Sequence, residues 1–233
     1  MNEVYNLFPT PIIRVGATEE NYNPVQLEIK NAINDILNNS DSSSLSYLSN
    51  DVQATGISKK TYDFIEKFNC KNLEKRIYAA VNEYLNSIGW QGDAEFVIKN
   101  SWINLTDKGN SHGHHCHPGY TISGTYYFRA SEEQGCISFN NPNPAMMHCQ
   151  FPQSQASPQT VDIVPDDGDI LLFPSWLIHT TRVNESNEQR VSVAFNLDYN
   201  GRDDVILGLV KRSNIPFHKK EWSLRGIVTK HEN

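Results

Sequence analysis

The chain has 233 residues, enough for one sizeable core, and its 38% hydrophobic and 20% charged content is that of a soluble globular protein. A formal net charge of -7 disfavours indiscriminate nucleic-acid binding, which needs basic surface. No apolar run is long enough to span a bilayer, and Met1-Asn2-Glu3-Val4-Tyr5 lacks a signal-peptide pattern, so a cytoplasmic protein with no membrane role is expected.

The first third reads as helical. Asn23 is a plausible cap, Pro24 suits a first helical position, and Ile29, Ile33, Ile36 and Leu37 form one apolar stripe. Ser40 to Ser46 is serine-rich and reads as a flexible connection. A second helix is predicted from about Asn69 to Ile88, where Leu73, Ile77, Val81, Tyr84 and Ile88 recur at helical spacing and Gly89 is a natural stop. Both stripes are read as core packing against a sheet. After Gly89 the runs become short, rich in Val, Ile, Phe, Tyr and Thr, and bounded by turn residues. Strands are predicted over 95–105, 120–130, 136–139, 160–164, 169–173 and 190–199, a pattern of a sandwich or jelly roll. Asn140 to Gln159 is rich in Pro, Asn, Gln and Ser and reads as an insertion between strands, a candidate lid or substrate-binding edge. Residues 201–233 form a C-terminal extension of mixed charge. One catalytic domain over 1–233 is expected, with a mainly helical part over 1–92 and a core over 93–200.

The chemistry concentrates in three places. His115 and His117 stand two apart in His115-Cys116-His117-Pro118, and side chains two apart on a strand share a face. His179 closes a distant apolar run, so three imidazoles can meet on one metal and leave coordination positions open, as catalytic sites do. His114 is the rival for the place of His117. Arg190 opens the last strand, where Arg190, Ser192, Ala194 and Asn196 share one small, polar face and Val191, Val193, Phe195 and Leu197 share an apolar one. A guanidinium there offers a fixed fork for a carboxylate. Cys70, Cys116, Cys136 and Cys149 have no zinc-finger spacing and read as reduced thiols, with Cys116 turned away from the metal by strand alternation.

The segment from Trp102 to Leu197 resembles the 2-oxoglutarate- and Fe(II)-dependent oxygenases, close to their prolyl-hydroxylase-like branch. The resemblance rests on His115-Cys116-His117-Pro118, Ser123-Gly124-Thr125-Tyr126-Tyr127-Phe128, Gly135-Cys136-Ile137-Ser138-Phe139, Asp167 to Ser175, His179 and Arg190-Val191-Ser192, in the family's order. Most of the superfamily has an acidic residue where this chain has His117. All-histidine ligation leaves the metal one positive charge higher, which would hold a bound ketoacid more tightly.

The resemblance implies an α+β fold: a double-stranded β-helix (jelly-roll, cupin-like) core with N-terminal helices packed on it. It implies Fe(II) at His115, His117 and His179, 2-oxoglutarate as cosubstrate, dioxygen as oxidant and ascorbate as a supporting reductant. Arg190, with Ser192, would bind the distal carboxylate. Tyr126 matches the family tyrosine that reaches the same group, leaving Tyr127 to pack. Asn104 and Trp102, one strand earlier, are candidates to line the pocket. The implied reaction is hydroxylation of a prime substrate with release of succinate and CO2, a protein or peptide side chain such as proline being the first expectation. The alternatives are a cupin-like metal dioxygenase that uses no ketoacid and a ligand-binding jelly roll without catalysis.

Overall fold

The computed structural model describes residues 9–38, 48–49, 63–90, 95–143 and 158–199. The serine-rich connection, most of the 140–159 insertion, and the 201–233 extension lie outside the described residues. Contacts divide the chain into two units, Met1–Trp90 with Val97–Asp198, and Gln91–Phe96 with Tyr199–Asn233. Within the second, the rings of Phe96 and Tyr199 meet edge-on at 5.1 Å.

In chain order the elements are β1 (Ile13–Val15), α1 (Glu19–Asn38), β2 (Leu48–Ser49), α2 (Phe64–Lys67), α3 (Lys71–Ser87), β3 (Phe96–Thr106), β4 (Ile122–Arg129), β5 (Ile137–Asn140), β6 (Thr160–Ile163), β7 (Ile170–Pro174), β8 (His179–Thr181) and β9 (Arg190–Tyr199). They form a six-stranded sheet, ordered β1-β7-β4-β9-β3-β2, and a three-stranded sheet, ordered β6-β5-β8. Tyr127, Leu171 and Phe173 from the larger sheet pack with Ile137 and Phe139 from the smaller, closing one apolar core. This is the jelly-roll core, with helices added, that the sequence leads one to expect.

Helix α1 begins four residues before Asn23. Thr18 and Asn21 cap it reciprocally, Asn21 N donating to Thr18 Oγ1 at 3.4 Å and Thr18 N to Asn21 Oδ1 at 3.1 Å. Pro24 therefore lies inside the helix rather than at its first position. The buried stripe is Val25, Ile29, Ala32 and Ile36, while Leu37 is exposed. Glu28 of α1 caps α3, its carboxylate accepting from Asn72 N at 2.9 Å and Leu73 N at 3.1 Å. A negative charge is favoured at that helix end. Helix α3 buries Leu73, Ile77, Val81 and Tyr84 as its periodicity predicts. It ends where Gly89 takes a left-handed φ of 69° and Trp90 N closes on Leu85 O.

Two glycines in the motifs have steric reasons. A Cβ on Gly124 of β4 would stand 2.5 Å from Phe195 and 2.6 Å from Leu172, so only glycine lets these rows pack. Gly135 has a φ of 86°, and a Cβ there would meet the Arg182 carbonyl oxygen at 2.6 Å. The chain thus passes close beside β8 just before β5.

Candidate active site

His115 is not within a strand. It forms an isolated bridge to His179, each N–H donating to the other's carbonyl at 3.0 and 2.9 Å. His117 N donates to Ser175 O at 2.8 Å, so the segment is pinned to the β7–β8 connection at two points. The spaced imidazoles do converge: one nitrogen from each of His115, His117 and His179 lies within 4.8 Å of the others. Nδ1 of His115 is 2.7 Å from Gly113 O, and Nδ1 of His179 is 2.9 Å from Leu177 O. Those carbonyls accept a proton on Nδ1 and leave Nε2 with a free lone pair for a metal. His114 is exposed and stands outside this group.

Burial keeps His117 and His179 neutral. The His117 imidazole is pushed down to about 3 and that of His179 to about 4, by desolvation first and by neighbouring imidazoles second. Neutral rings are the form that binds metal. Phe173 lies 4.7 Å from the His179 ring and Trp102 5.8 Å from His117, walling the group. Three imidazole donors, two with their far nitrogens anchored, and no fourth protein ligand among the described residues fit a divalent iron that keeps an open face.

Arg190 is 3% exposed. Its Nη1 donates to Gln134 O at 3.0 Å and Gly135 O at 3.3 Å, and its Nη2 to Thr181 Oγ1 at 2.9 Å. Among the described residues it has no ion pair. A buried cation held only by neutral oxygens is suited to a carboxylate brought by a ligand. Ser192 is buried on β9 opposite Tyr127. Asn104 is buried, and among the described residues its Oδ1 has no hydrogen-bond partner. It shares a face of β3 with Trp102, by alternation, and so lies on the side of His117.

Tyr126 stands elsewhere. It pairs with Val193 and Ile170 on the helix side of the sheet, with the Arg76 guanidinium 5.5 Å over its ring and Gln26 Nε2 donating to its hydroxyl at 3.2 Å. The tyrosine on the inner face is Tyr127, which the sequence reading assigned to packing. Two further inner-face groups were not anticipated. His112 is held at its backbone by Thr181, His112 N donating to Thr181 Oγ1 at 2.8 Å. Its imidazole is pushed down to about 4, by burial first, then by the charges of Arg190 and His115. A polar chain also supports Ser175: the Ser123 hydroxyl lies 2.8 Å from that of Ser175 and 2.6 Å from Asn196 Oδ1. The alternation of β9 was the available signal for Asn196. Cys116 is half-buried between the ligands, and Cys70, Cys116 and Cys136 are free thiols. No described helix is long and apolar enough to cross a membrane.

Residues 100–196 match the family model described as "Putative 2OG-Fe(II) oxygenase". No curated protein matches the sequence. Among solved structures, the non-heme alpha-ketoglutarate-dependent epimerase SnoN from nogalamycin biosynthesis superposes with a TM-score of 0.54 at 14% identity, over 81% of this chain and 76% of its own. The non-heme monooxygenase ThoJ, solved as a nickel complex, gives a TM-score of 0.51 at 10% identity, over 82% and 74%. A 2OG-Fe(II) oxygenase-family oxidoreductase from Burkholderia pseudomallei is 18% identical with a TM-score of 0.37, and the match spans 47% of this chain and about half (48%) of that protein. Over residues 100–196, the span that holds the three histidines and Arg190, the chain is similar to the 2-oxoglutarate- and Fe(II)-dependent oxygenase superfamily. Fe(II) and 2-oxoglutarate are that superfamily's metal and cosubstrate, and oxidoreductase chemistry is its activity.

Proposed function

We propose that this chain is a hydroxylase in which His115, His117 and His179 hold Fe(II), and Arg190 with Ser192 holds the distal carboxylate of 2-oxoglutarate. The observation that carries the reading is Arg190: a buried guanidinium with no acidic partner among the described residues, in a roll that also gathers three imidazoles. When bound, iron and ketoacid supply the oxidising chemistry that couples ketoacid decarboxylation, giving succinate and CO2, to oxidation of a C–H bond. The protein's part is positioning. The two Nδ1 anchors fix ring orientation, Phe173 and Trp102 limit water at the rings, and Asn104 offers the ligands a buried amide. Tyr127, on the face of Ser192, takes the place first given to Tyr126 beside the carboxylate.

A protein or peptide side chain, with proline first, is the substrate class supported by the motif order shared with prolyl hydroxylases. One catalytic domain over 1–233 is read, with 201–233 as its C-terminal extension, and the uneven cysteines favour a cytoplasmic setting. The test is succinate release by the Fe(II) protein, measured with and without proline-containing peptides. Oxygen uptake that needs metal but no ketoacid would replace this reading with that of a three-histidine cupin-type dioxygenase.

A further inference from the structure

The three imidazoles are not held alike. His115 and His179 each set Nδ1 against a carbonyl, Gly113 O at 2.7 Å and Leu177 O at 2.9 Å. The ring of His117 has no such carbonyl among the described residues. What holds His117 is its backbone, whose N–H donates to Ser175 O at 2.8 Å. The place of His117 therefore follows the place of Ser175.

Ser175 directly follows β7, and its hydroxyl begins a chain of hydrogen bonds that crosses the larger sheet. Its Oγ lies 2.8 Å from Ser123 Oγ on β4, and Ser123 Oγ lies 2.6 Å from Asn196 Oδ1 on β9. Asn196 Nδ2 donates to Asn100 Oδ1 on β3 at 2.9 Å, and Asn100 Nδ2 donates to the Tyr120 hydroxyl at 3.0 Å. β7, β4, β9 and β3 are successive strands of the sheet, and Ser123 pairs directly with Asn196, so the chain runs as one row. Proton counting fixes its direction. Asn196 turns its amide nitrogen to Asn100, so its oxygen accepts the Ser123 proton. Each hydroxyl has one proton, so Ser123 in turn accepts from Ser175. Ser175, Ser123 and Asn196 are 0%, 1% and 2% exposed. Each buried group is thus satisfied by the next, and removing one leaves its neighbours unpaired.

We propose that Asn196 is a positioning residue of the metal centre: through Ser123 and Ser175 it fixes the backbone that carries His117, in place of the ring anchor that His115 and His179 have. This rests on the reading of the three histidines as metal ligands. A row that only tied the strands together would add stability and leave metal binding indifferent to its loss.

The test is titration of the full chain with Co(II), whose visible ligand-field bands report the geometry of its donors. Asn196→Ala and Ser123→Ala should each weaken Co(II) by about ten- to a hundredfold, the usual effect of losing support behind a ligand, and shift the bands of the saturated protein. Ser175→Ala removes one hydroxyl and leaves Ser123 bonded to Asn196. It should give the same shift to a smaller extent, and it decides the matter if the other two variants do not fold. Ser101→Ala is the control for stability alone. Ser101 is 2% exposed, and its Oγ accepts from Ile65 N at 2.9 Å on the opposite face of β3 from Asn100. That variant should melt at a lower temperature and keep the wild-type Co(II) affinity and bands. Wild-type affinity and bands in the folded Asn196, Ser123 or Ser175 variants overturn the proposal. So does an equal loss in Ser101→Ala, which would make any weakening of the fold sufficient. Wild-type protein that takes up no Co(II) would instead remove the metal reading itself, and the proposal with it.

Discussion

Replacing Arg190 by alanine tests the cosubstrate pocket most directly. The guanidinium is 3% exposed and spends three N–H groups on Gln134 O, Gly135 O and Thr181 Oγ1, leaving two for a ligand. A single hydrogen bond to a charged partner is worth about 1.5–3 kcal/mol. Loss of the fork should therefore weaken 2-oxoglutarate by about ten- to a hundredfold. Folding stability is a poor readout here, because the variant abandons two carbonyls and a hydroxyl but also removes a buried charge, and these effects oppose each other. Affinity should be read anaerobically from the absorption band that forms when the ketoacid chelates Fe(II), with iron affinity measured on the same samples. Iron binding should hold within about threefold of wild type, since a hydrogen-bond effect of that size is near the lower limit of one interaction. Arg190→Lys should recover only part of the loss, because an ammonium cannot reproduce the planar fork. Equal 2-oxoglutarate affinity in wild type and Arg190→Ala would refute the reasoning.

Iron content should collapse in His179→Ala and His117→Ala prepared without oxygen and stay normal in His114→Ala; retention in the His117 variant with loss in the His114 variant would reassign the third ligand. The metal-free protein should lose stability as pH falls below about 6.5, the ordinary histidine value, toward the folded values near 4 for His179 and 3 for His117, because the unfolded chain binds protons there first. Melting temperatures of the metal-free protein across pH 7 to 5 check this, and His117→Phe should flatten the slope; an unchanged slope counts against the assignment. Gly124→Ala should destabilise by about 1–3 kcal/mol through overlap with Phe195 and Leu172, read as a lower denaturant midpoint, and a neutral result would mean that those side chains yield freely.

The six predicted strands and the second helix were legible because their patterns are long or strongly β-forming. β1, β2 and β8 were not. Each is two or three residues long and exists through pairing with partners distant in sequence: β1 with β7, β2 with β3, β8 with β5. The start of α1 was misplaced because Pro24 suggests a first position, whereas Thr18 and Asn21 make the cap. The histidine pair was readable from spacing alone, although the spacing acts through backbone bonds to Ser175 and His179 rather than within a strand. The choice between Tyr126 and Tyr127 was the hardest. β4 is covered by helices on one face and by the second sheet on the other, so its burial barely alternates and parity cannot be read from polarity. Gly124 held the missing information: a glycine forced by crowding marks the helix-facing row, and Tyr126 shares that row.

The mutual backbone bonds between His115 and His179 join segments 64 positions apart, and His117 ties the first of them to Ser175 as well. An ion held by all three imidazoles would thus act as a cross-link, closing the chain between the entry to β4 and the short β8 as a covalent bridge would. Its contribution would be set by supply rather than by sequence: at a free metal concentration a hundred times the dissociation constant, about 2.7 kcal/mol. The same polypeptide would then be a sturdier fold in an iron-replete cell than in a starved one, and its lifetime against proteases would follow the iron status of its surroundings.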